Sequence, residues 1–177
     1  MFKLVLSEVE LLTTSIPIIA EIIDEGIFKI DKNGISMVSP DRTMVSVVDF
    51  KILSSAFDEF KVDKEYELGV NMGHLAAVLK RVKSSDKLIL EGSEKGKLKI
   101  KVEGNGVRTF DIPLIDVTTE KPPIDQLSFA GTVEVDSGIV NEGIADAEVI
   151  GDSVVISASS SNFKMVSKGD VSATEVA

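Results

Sequence analysis

A stretch near the start of the chain recurs near its end, and this recurrence limits the folds that the chain can adopt. Aligning Gly34 with Asn162 places Ile27, Phe28, Ile35, Met37, Val38 and Ser39 on Val155, Ile156, Phe163, Met165, Val166 and Ser167. A repeated sequence indicates a repeated structural unit. We therefore predict two similar units within the 177 residues.

The residues before the first copy predict a strand followed by a helix. Residues 2–6 alternate as a short strand, and apolar residues then recur at helical spacing, at Val9, Leu12, Ile16, Ile19 and Ile23. Pro17 lies within this stripe and has no backbone N–H to donate. We expect it to divide the helix into two halves.

The first copy itself predicts a hairpin. Residues 27–30 and 35–38 flank an Asn-Gly pair at 33–34, which favours the positive φ angles of a tight turn. A more specific interpretation of the Asp-x-Asn sequence at residues 31–33 is a calcium-binding loop. It is excluded because Ser36 and Arg42 stand where the glycine and the bidentate acid of such a loop would be.

The pattern of strands around one helix then repeats. Strands are predicted over residues 44–50, 66–71, 87–91, 97–102 and 107–112, with a turn or helical loop over 51–64. A helical stripe lies at Leu75, Val78, Leu79 and Val82. Two β-α-β-β-β motifs thus fill the chain to about residue 112, since each helix needs a sheet to cover its stripe.

A third motif begins near residue 130. Its helix, residues 136–149, has Asp136 or Ser137 as a candidate N-cap and carries Val140, Ile144 and Ala147 on one face. By analogy with residues 51–117, a fourth motif of about 70 residues would complete the second unit. We therefore expect the chain to be a fragment.

The segment between the units, residues 112–130, is predicted to be extended because Pro113, Pro122 and Pro123 oppose a helix. Most such segments are solvated spacers. The apolar residues Ile124 and Leu127, however, favour contact with a folded surface.

Composition excludes several classes of function. The chain has no cysteine and one histidine, which excludes disulfides, thiolate catalysis and a zinc site built from cysteines or several histidines. The net charge of −10 opposes general binding to nucleic acid, so any such face must be local. No apolar run approaches about 18 residues, so we predict an intracellular chain without a membrane span. No catalytic, metal or cofactor site is predicted.

In order and spacing, these motifs resemble the DNA sliding clamps of the proliferating cell nuclear antigen type, most closely the archaeal ones. The resemblance rests on Met1-Phe2, residues 36–50 (SMVSPDRTMVSVVDF), residues 68–72 (LGVNM), residues 112–117 (IPLIDV) and the motif count. It implies an α+β DNA-clamp fold of repeated β-α-β-β-β motifs, with helices on one face of antiparallel sheets and an incomplete second domain.

The resemblance also implies a homotrimeric ring, without catalytic activity or cofactor, that encircles duplex DNA in replication and repair. Such a processivity factor tethers DNA polymerase, nuclease and ligase through short peptide motifs and is placed on DNA by a clamp loader. The implied domains are residues 1–117 and 130–177, with the connector at residues 118–129. Its location would be the archaeal cytoplasm, with the chromosome, or the nucleus of a eukaryote.

By position, the resemblance implies a pocket for partner peptides lined by Pro40, Met44, Val45, Ile124 and Leu127. Apolar walls suit this task, because an aromatic anchor is bound through buried area rather than charge. The C-terminal tail that normally completes the pocket in the family is absent from this sequence.

The resemblance further implies that Lys80, Arg81 and Lys83 contact DNA phosphates without reading bases. Taken alone, such a charge run is more often a solvated face. The helix of the third motif has Glu142 and Asp146 and no basic residue, so the face would be weakly positive.

Two alternatives stay open, the first of them from another functional class. One is a C-terminally truncated fragment of a nucleic-acid-processing enzyme, and the other is a ring-incompetent clamp paralogue that binds clients only. An enzyme would show turnover and depend on titratable groups that this sequence does not supply.

In the family, one strand pairs with a strand of the neighbouring subunit; here it would be Val107, Arg108, Thr109, Phe110, Asp111 and Ile112. The partner strand corresponds to residues 172–177, and the helix that backs it in the family is missing. We therefore expect this chain to trimerise poorly or not at all. Sedimentation at micromolar concentration measures this, and a stable trimer would contradict it.

Overall fold

The structure is a computed structural model that describes residues 1–93, 96–118, 126–168 and 173–176. The chain forms two compact units, Met1–Ile124 and Asp125–Ala177. Each is built of helices and antiparallel strands, so the predicted α+β class is confirmed.

The first unit follows the predicted order of elements, with one additional strand. Its strands are β1 (Phe2–Leu6), β2 (Glu25–Asp31), β3 (Gly34–Pro40), β4 (Val47–Leu53), β5 (Glu59–Val62), β6 (Tyr66–Asn71), β7 (Lys87–Ser93), β8 (Lys97–Gly104) and β9 (Gly106–Pro113). Its helices are α1 (Glu10–Thr13), α2 (Ser15–Ile19) and α3 (Met72–Leu79), with a 3₁₀ turn at Ser54–Ala56.

These strands form two sheets, and each sheet contains strands of both motifs. The order is β5-β1-β7-β8-β9 in one sheet and β4-β3-β2-β6 in the other. Strand β1 pairs antiparallel with β7, with Lys3 opposite Glu91, and β6 pairs antiparallel with β2, with Ile27 opposite Gly69. The first strand of each motif therefore belongs to the sheet of the other motif.

The predicted division of the first helix is confirmed. Helices α1 and α2 are separated at Thr14, shortly before Pro17, whose ring nitrogen has no hydrogen to continue the helical ladder. All members of the predicted apolar stripe are nevertheless buried, at 0 to 7 % exposure. The two short helices therefore keep one continuous apolar face.

The core lies between these helices and both sheets. Leu4, Ile16, Val70, Leu88 and Ile100 are fully buried, and each comes from a different element. Burial of such a side chain stabilises a fold by about 1.5–3 kcal/mol. The first unit is thus a single packed body rather than two separate motifs.

The hairpin between β2 and β3 is present, but the predicted turn geometry is wrong. Asp31 pairs with Gly34, so Lys32 and Asn33 form the turn, and Asn33 does not adopt a positive φ. The Asp31 carboxylate instead accepts a hydrogen bond from the Asn33 N–H at 2.7 Å. Gly34, with φ of 148°, provides the unusual backbone angle.

Two other predicted boundaries are wrong. Strand β4 begins at Val47 instead of residue 44, because residues 41–46 form a closed loop. Residues 51–64 hold strand β5 in addition to the predicted helical turn. Strand β5 covers the outer edge of β1, with Leu4 opposite Phe60.

The second unit contains α4 (Ser137–Ile150), β10 (Val155–Ala158), β11 (Phe163–Lys168) and β12 (Ala173–Val176). Its sheet has the order β10-β11-β12. The recurrence found in the sequence is confirmed by the strand register, since Lys29 lies opposite Ser36 and, at the aligned positions, Ser157 lies opposite Lys164. Buried residues also recur: Met37, Ser39, Met165 and Ser167 are each 1 % exposed.

Helix α4 begins as predicted, with the Asp136 carboxylate accepting a hydrogen bond from the Gly138 N–H at 2.7 Å. The predicted inner face is partly wrong. Gly143 and Ala147 are the buried residues of α4, whereas Ile144 is 42 % exposed. Gly143 lies over Met165, and a Cβ at this glycine would come within 2.9 Å of the methionine sulfur. Ile144 therefore lies beside the contact between α4 and Met165 and is not part of it.

The Gly34→Ala substitution should destabilise the protein. A Cβ at Gly34 would lie 2.0 Å from the Ile52 carbonyl oxygen, on a backbone whose φ of 148° suits glycine. We expect a loss of roughly 2–3 kcal/mol in the free energy of unfolding, measured by urea denaturation. Gly96→Ala is the matched control, because φ there is 67° and nothing lies within 4 Å of the added Cβ. It should cost only about 1 kcal/mol. Equal losses for the two variants would contradict this account.

Candidate functional site

The loop between β3 and β4, residues 41–46, is organised by one carboxylate. The Asp41 carboxylate accepts hydrogen bonds from the Val45 N–H and the Ser46 N–H at 2.8 Å each, and from the Thr43 hydroxyl. The Asp41 N–H donates to the Ser46 carbonyl at 2.9 Å, which closes the loop. The sequence Pro-Asp-x-Thr thus folds locally around its acid.

This loop displays two apolar side chains. Met44 is 57 % exposed and Val45 is 84 % exposed. Met44 has φ of 57°, a left-handed conformation that costs a non-glycine residue roughly 1–2 kcal/mol. The hydrogen bonds to Asp41 hold the backbone in this conformation. A strained residue with an exposed apolar side chain is a feature typical of a binding site.

The loop forms one side of an open groove of about 440 Å³ in the first unit. Residues from three parts of the chain line it: Asp24, Glu25, Pro40, Asp41, Arg42, Met44, Val117 and Thr118. Arg42 and Asp24 both line the groove and form a salt bridge with each other. The groove therefore combines apolar surface with charged groups on its rim, as ligand sites commonly do.

The opposite side of the groove is positioned by the chain that leaves β9. The Leu114 N–H donates to the Gly96 carbonyl and the Ile115 N–H to the Gly69 carbonyl, both at 2.9 Å. A Cβ at Gly69 would lie 2.0 Å from the Ile115 carbonyl oxygen, so this close approach requires glycine. The segment that carries Val117 is thereby fixed beside β6.

The charge of Asp41 is stabilised by its own hydrogen bonds. The Thr43 hydroxyl first, and then the Ser46 and Val45 N–H groups, lower the pKa of the Asp41 carboxyl to about 2. Asp41 is therefore ionised at neutral pH, where each of these bonds has a charged acceptor.

The structure places the predicted pocket residues as follows. Pro40 and Met44 line the groove, and Val45 is adjacent and exposed. Ile124 lies outside the described residues, and Leu127 belongs to the second unit, where it is 59 % exposed. The pocket composed of all five residues remains a prediction.

Sequence reasoning missed several groove residues. Arg42 and Asp24 are paired although they are far apart in sequence, and no local pattern indicates such a pair. The role of Asp41 had a detectable signal, because an aspartate followed by small hydroxyl residues is typical of a side-chain-stabilised turn.

The predicted basic residues Lys80, Arg81 and Lys83 are exposed where α3 ends. The turn that carries them is held by Asp86, whose carboxylate accepts from the Lys83 N–H at 3.0 Å. Arg108 then donates to Asp86 at 2.8 Å and to the Arg81 carbonyl at 2.9 Å. Asp86 has a side-chain exposure of 5 %, so its charge needs this partner.

The predicted interface strand is the edge strand β9. Its side chains alternate: Val107, Thr109 and Asp111 are exposed, whereas Arg108, Phe110 and Ile112 point toward the body of the unit. Ile112 is 3 % exposed and belongs to the core. A neighbouring subunit that binds at β9 would therefore contact the backbone groups along the β9 edge and the exposed side chains of Val107, Thr109 and Asp111.

Within the described ranges, no helix is long and apolar enough to cross a membrane. Over the same residues, no cluster of three or more His, Asp or Glu side chains is placed to hold a metal ion.

Comparison with known proteins identifies the family. The sequence profile of the proliferating cell nuclear antigen N-terminal domain matches residues 1–120. The chain belongs to the proliferating cell nuclear antigen family. The resemblance inferred from the sequence is thereby confirmed.

Relatives from archaea carry the name DNA polymerase sliding clamp. The protein from Pyrococcus horikoshii is 38 % identical over 157 residues, and that from Pyrococcus furiosus is 35 % identical over the same length. In both cases the match covers 89 % of this chain and 63 % of the relative. The matched part of the chain thus spans less than two thirds of the length of these relatives.

Solved structures confirm the clamp fold. A crystal structure of proliferating cell nuclear antigen from Thermococcus kodakaraensis matches with a TM-score of 0.91 at 25 % identity, over 99 % of this chain and 72 % of that one. A PCNA2–PCNA3 complex from Sulfolobus tokodaii matches in fold with a TM-score of 0.90 at 24 % identity, over 98 % and 71 %.

The Asp41→Ala substitution should release the groove loop without unfolding the protein. It removes the acceptor for the Val45 and Ser46 N–H groups, so hydrogen exchange at these two amides should become faster. Because the folded pKa of about 2 lies below the ordinary value, the stabilisation is present above about pH 4 and is lost as the pH falls through 2.

The control for this prediction is Asp58→Ala, which removes an exposed acid outside the loop. It should leave exchange at Val45 and Ser46 unchanged. Equal exchange rates in Asp41→Ala and the unsubstituted protein would show that Asp41 does not hold the loop.

Proposed function

We propose that this chain is a subunit, or the N-terminal part of a subunit, of a DNA sliding clamp. In this role it has no catalytic activity and no cofactor, and it tethers DNA polymerase and other replication or repair enzymes to DNA. Membership of the family and the names of the archaeal relatives support this proposal. The proposed location is the cytoplasm of an archaeal cell, with the chromosome.

The groove beside Met44 carries the proposal. Its loop is closed by Asp41, displays Met44 and Val45, and faces the segment that leads into the connector, proposed as residues 118–129. A short peptide with an aromatic anchor fits this surface, because apolar area stabilises the anchor and Arg42 with Glu25 can bind polar groups at the rim. Ile124 and Leu127 would add apolar contacts from the connector side.

The turn after α3 supports the DNA-binding part of the proposal. Lys80, Arg81 and Lys83 are exposed together, on a turn that the Asp86–Arg108 pair keeps in place. Such a cluster binds phosphates without reading bases, which suits a protein that must slide along any sequence.

The position of β9 at the edge of its sheet, among the residues that the structure describes, supports the assembly part. An edge strand has unpaired backbone groups that can pair with a strand of another subunit. In the proposed ring, residues 107–112 of one subunit pair with residues 172–177 of the next, and the domains are residues 1–117 and 130–177. A clamp loader would be needed to open such a closed ring around DNA.

Binding of a labelled partner peptide with an aromatic anchor tests the proposed function, measured by fluorescence anisotropy on the 177-residue protein. Met44→Ala and Ile124→Ala should each weaken binding about tenfold, because each removes apolar contact with the anchor.

Leu53→Ala is the matched control, since Leu53 is 55 % exposed on β4 and lies away from the groove lining. It should leave the affinity unchanged. Binding that tolerates both Met44→Ala and Ile124→Ala would remove the site and, with it, the proposed function.

A further inference from the structure

A cavity of about 40 Å³ lies inside the first unit, where its two motifs meet. The first motif contributes side chains of α1, α2, β2 and β3, and the second motif contributes side chains of β6, α3, β7 and β8. Each of these side chains belongs to a residue that is at most 8 % exposed, so the cavity is part of the interior. The lining residues are Leu12, Ile16, Phe28, Ile30, Ile35, Leu68, Leu75, Leu79, Leu90 and Leu98.

The walls of the cavity come from rigid elements on several sides. Leu12 and Ile16 are four residues apart on α1 and α2, and Leu75 and Leu79 have the same spacing on α3, so each pair presents one helical face. The remaining walls belong to strands of both sheets. Because neighbouring elements are fixed by their own hydrogen bonds and packing, they cannot all move inward to close the space.

Water fits this cavity by size but not by chemistry. A water molecule needs only about 10–15 Å³, but it also needs two to four polar partners. No polar atom of the walls faces the cavity. The cavity is therefore dry, and the side chains around it lack dispersion contacts on one side.

We propose that this cavity is a binding site for one small, uncharged, apolar ligand of atomic size. Such a ligand supplies the missing dispersion contacts and has no polar group that would be left without a hydrogen bond. A benzene ring is too large, since rings of this size occupy engineered cavities of about 150 Å³. Xenon, a single apolar atom, is the probe that suits both the size and the chemistry.

This site is separate from the groove beside Met44, because the two sets of lining residues have no member in common. A ligand in the cavity touches the helices and sheets of both motifs at once. It binds the folded first unit and not the unfolded chain, so its binding should raise the melting temperature in proportion to the logarithm of ligand concentration once the site is saturated.

Methyl-resolved NMR of the 177-residue protein under increasing xenon pressure tests the proposal. The methyl resonances of Leu12, Ile35 and Leu75 should shift and then saturate, because these side chains line the cavity. Two internal controls should show no saturable shift. Leu4 is fully buried but outside the lining, and Val107 is 62 % exposed on β9.

The Leu12→Phe substitution should fill the cavity, since the added ring carbons can occupy the empty space. Xenon binding, followed at Ile35 and Leu75, should become at least about tenfold weaker. The melting temperature should rise by about 3 °C, because the empty volume is replaced by packed atoms.

Leu4→Phe is the matched control, because it makes the same change at a fully buried residue that does not line the cavity. It should lower the melting temperature, since the packed core has no room for the ring, and it should leave xenon binding unchanged. Leu75→Ala gives a test of opposite sense. It enlarges the cavity, so benzene should then shift the Ile35 methyl resonances, which it should not do in the unsubstituted protein.

Three outcomes would overturn the proposal. If xenon causes no saturable shift at Leu12, Ile35 and Leu75, the cavity binds no apolar ligand. Equal shifts at Leu4 and Val107 would show that xenon binds without a defined site. If Leu12→Phe binds xenon as tightly as the unsubstituted protein, the atom occupies another position.

Discussion

The exchange of first strands between the two motifs of the first unit is the constraint on which the rest of its structure depends. Because β1 completes the sheet of β7 to β9 and β6 completes the sheet of β2 to β4, neither sheet is complete without the other motif. The helices then cover an apolar core to which both sheets contribute. Local elements and long-range pairing are therefore satisfied together, which favours one cooperative folding unit.

The exchange also positions the groove. Strand β6 lies beside β2, and its Gly69 accepts the chain that leaves β9, so that Val117 stands across from the loop of Asp41. In that loop the backbone of Met44 is strained, and the hydrogen bonds that the Asp41 carboxylate accepts offset the strain. The hydrogen bonds to Asp41 thus hold the loop in the conformation that leaves Met44 and Val45 exposed.

The sequence predicted the features that depend on local chemistry and on periodicity. Pro17 predicted the division of the first helix, the recurrence of the first hairpin predicted a second hairpin near the end of the chain, and Asp136 was one of two candidate N-caps of α4. The assignment of Pro40 and Met44 to the predicted pocket came from the family resemblance and not from the spacing of residues in the sequence.

Features that depend on distant partners were not predicted. Strand β5 has charged residues on both sides of Phe60 and takes its structure from pairing with β1. Ile144 fits a helical stripe, but the close contact of Gly143 with Met165 decides which face of α4 is buried. The Asp86–Arg108 pair joins residues from different elements, for which a single sequence gives no signal.

That pair has an electrostatic consequence for the surface around it. Arg108 neutralises the buried Asp86, so the carboxylate does not cancel the positive potential of Lys80, Arg81 and Lys83. If all three contact phosphates, each displaces condensed counterions, and the logarithm of affinity falls with the logarithm of salt with a slope of about −3. A chain with a net charge of −10 can in this way keep a small cationic patch that ions in solution can tune.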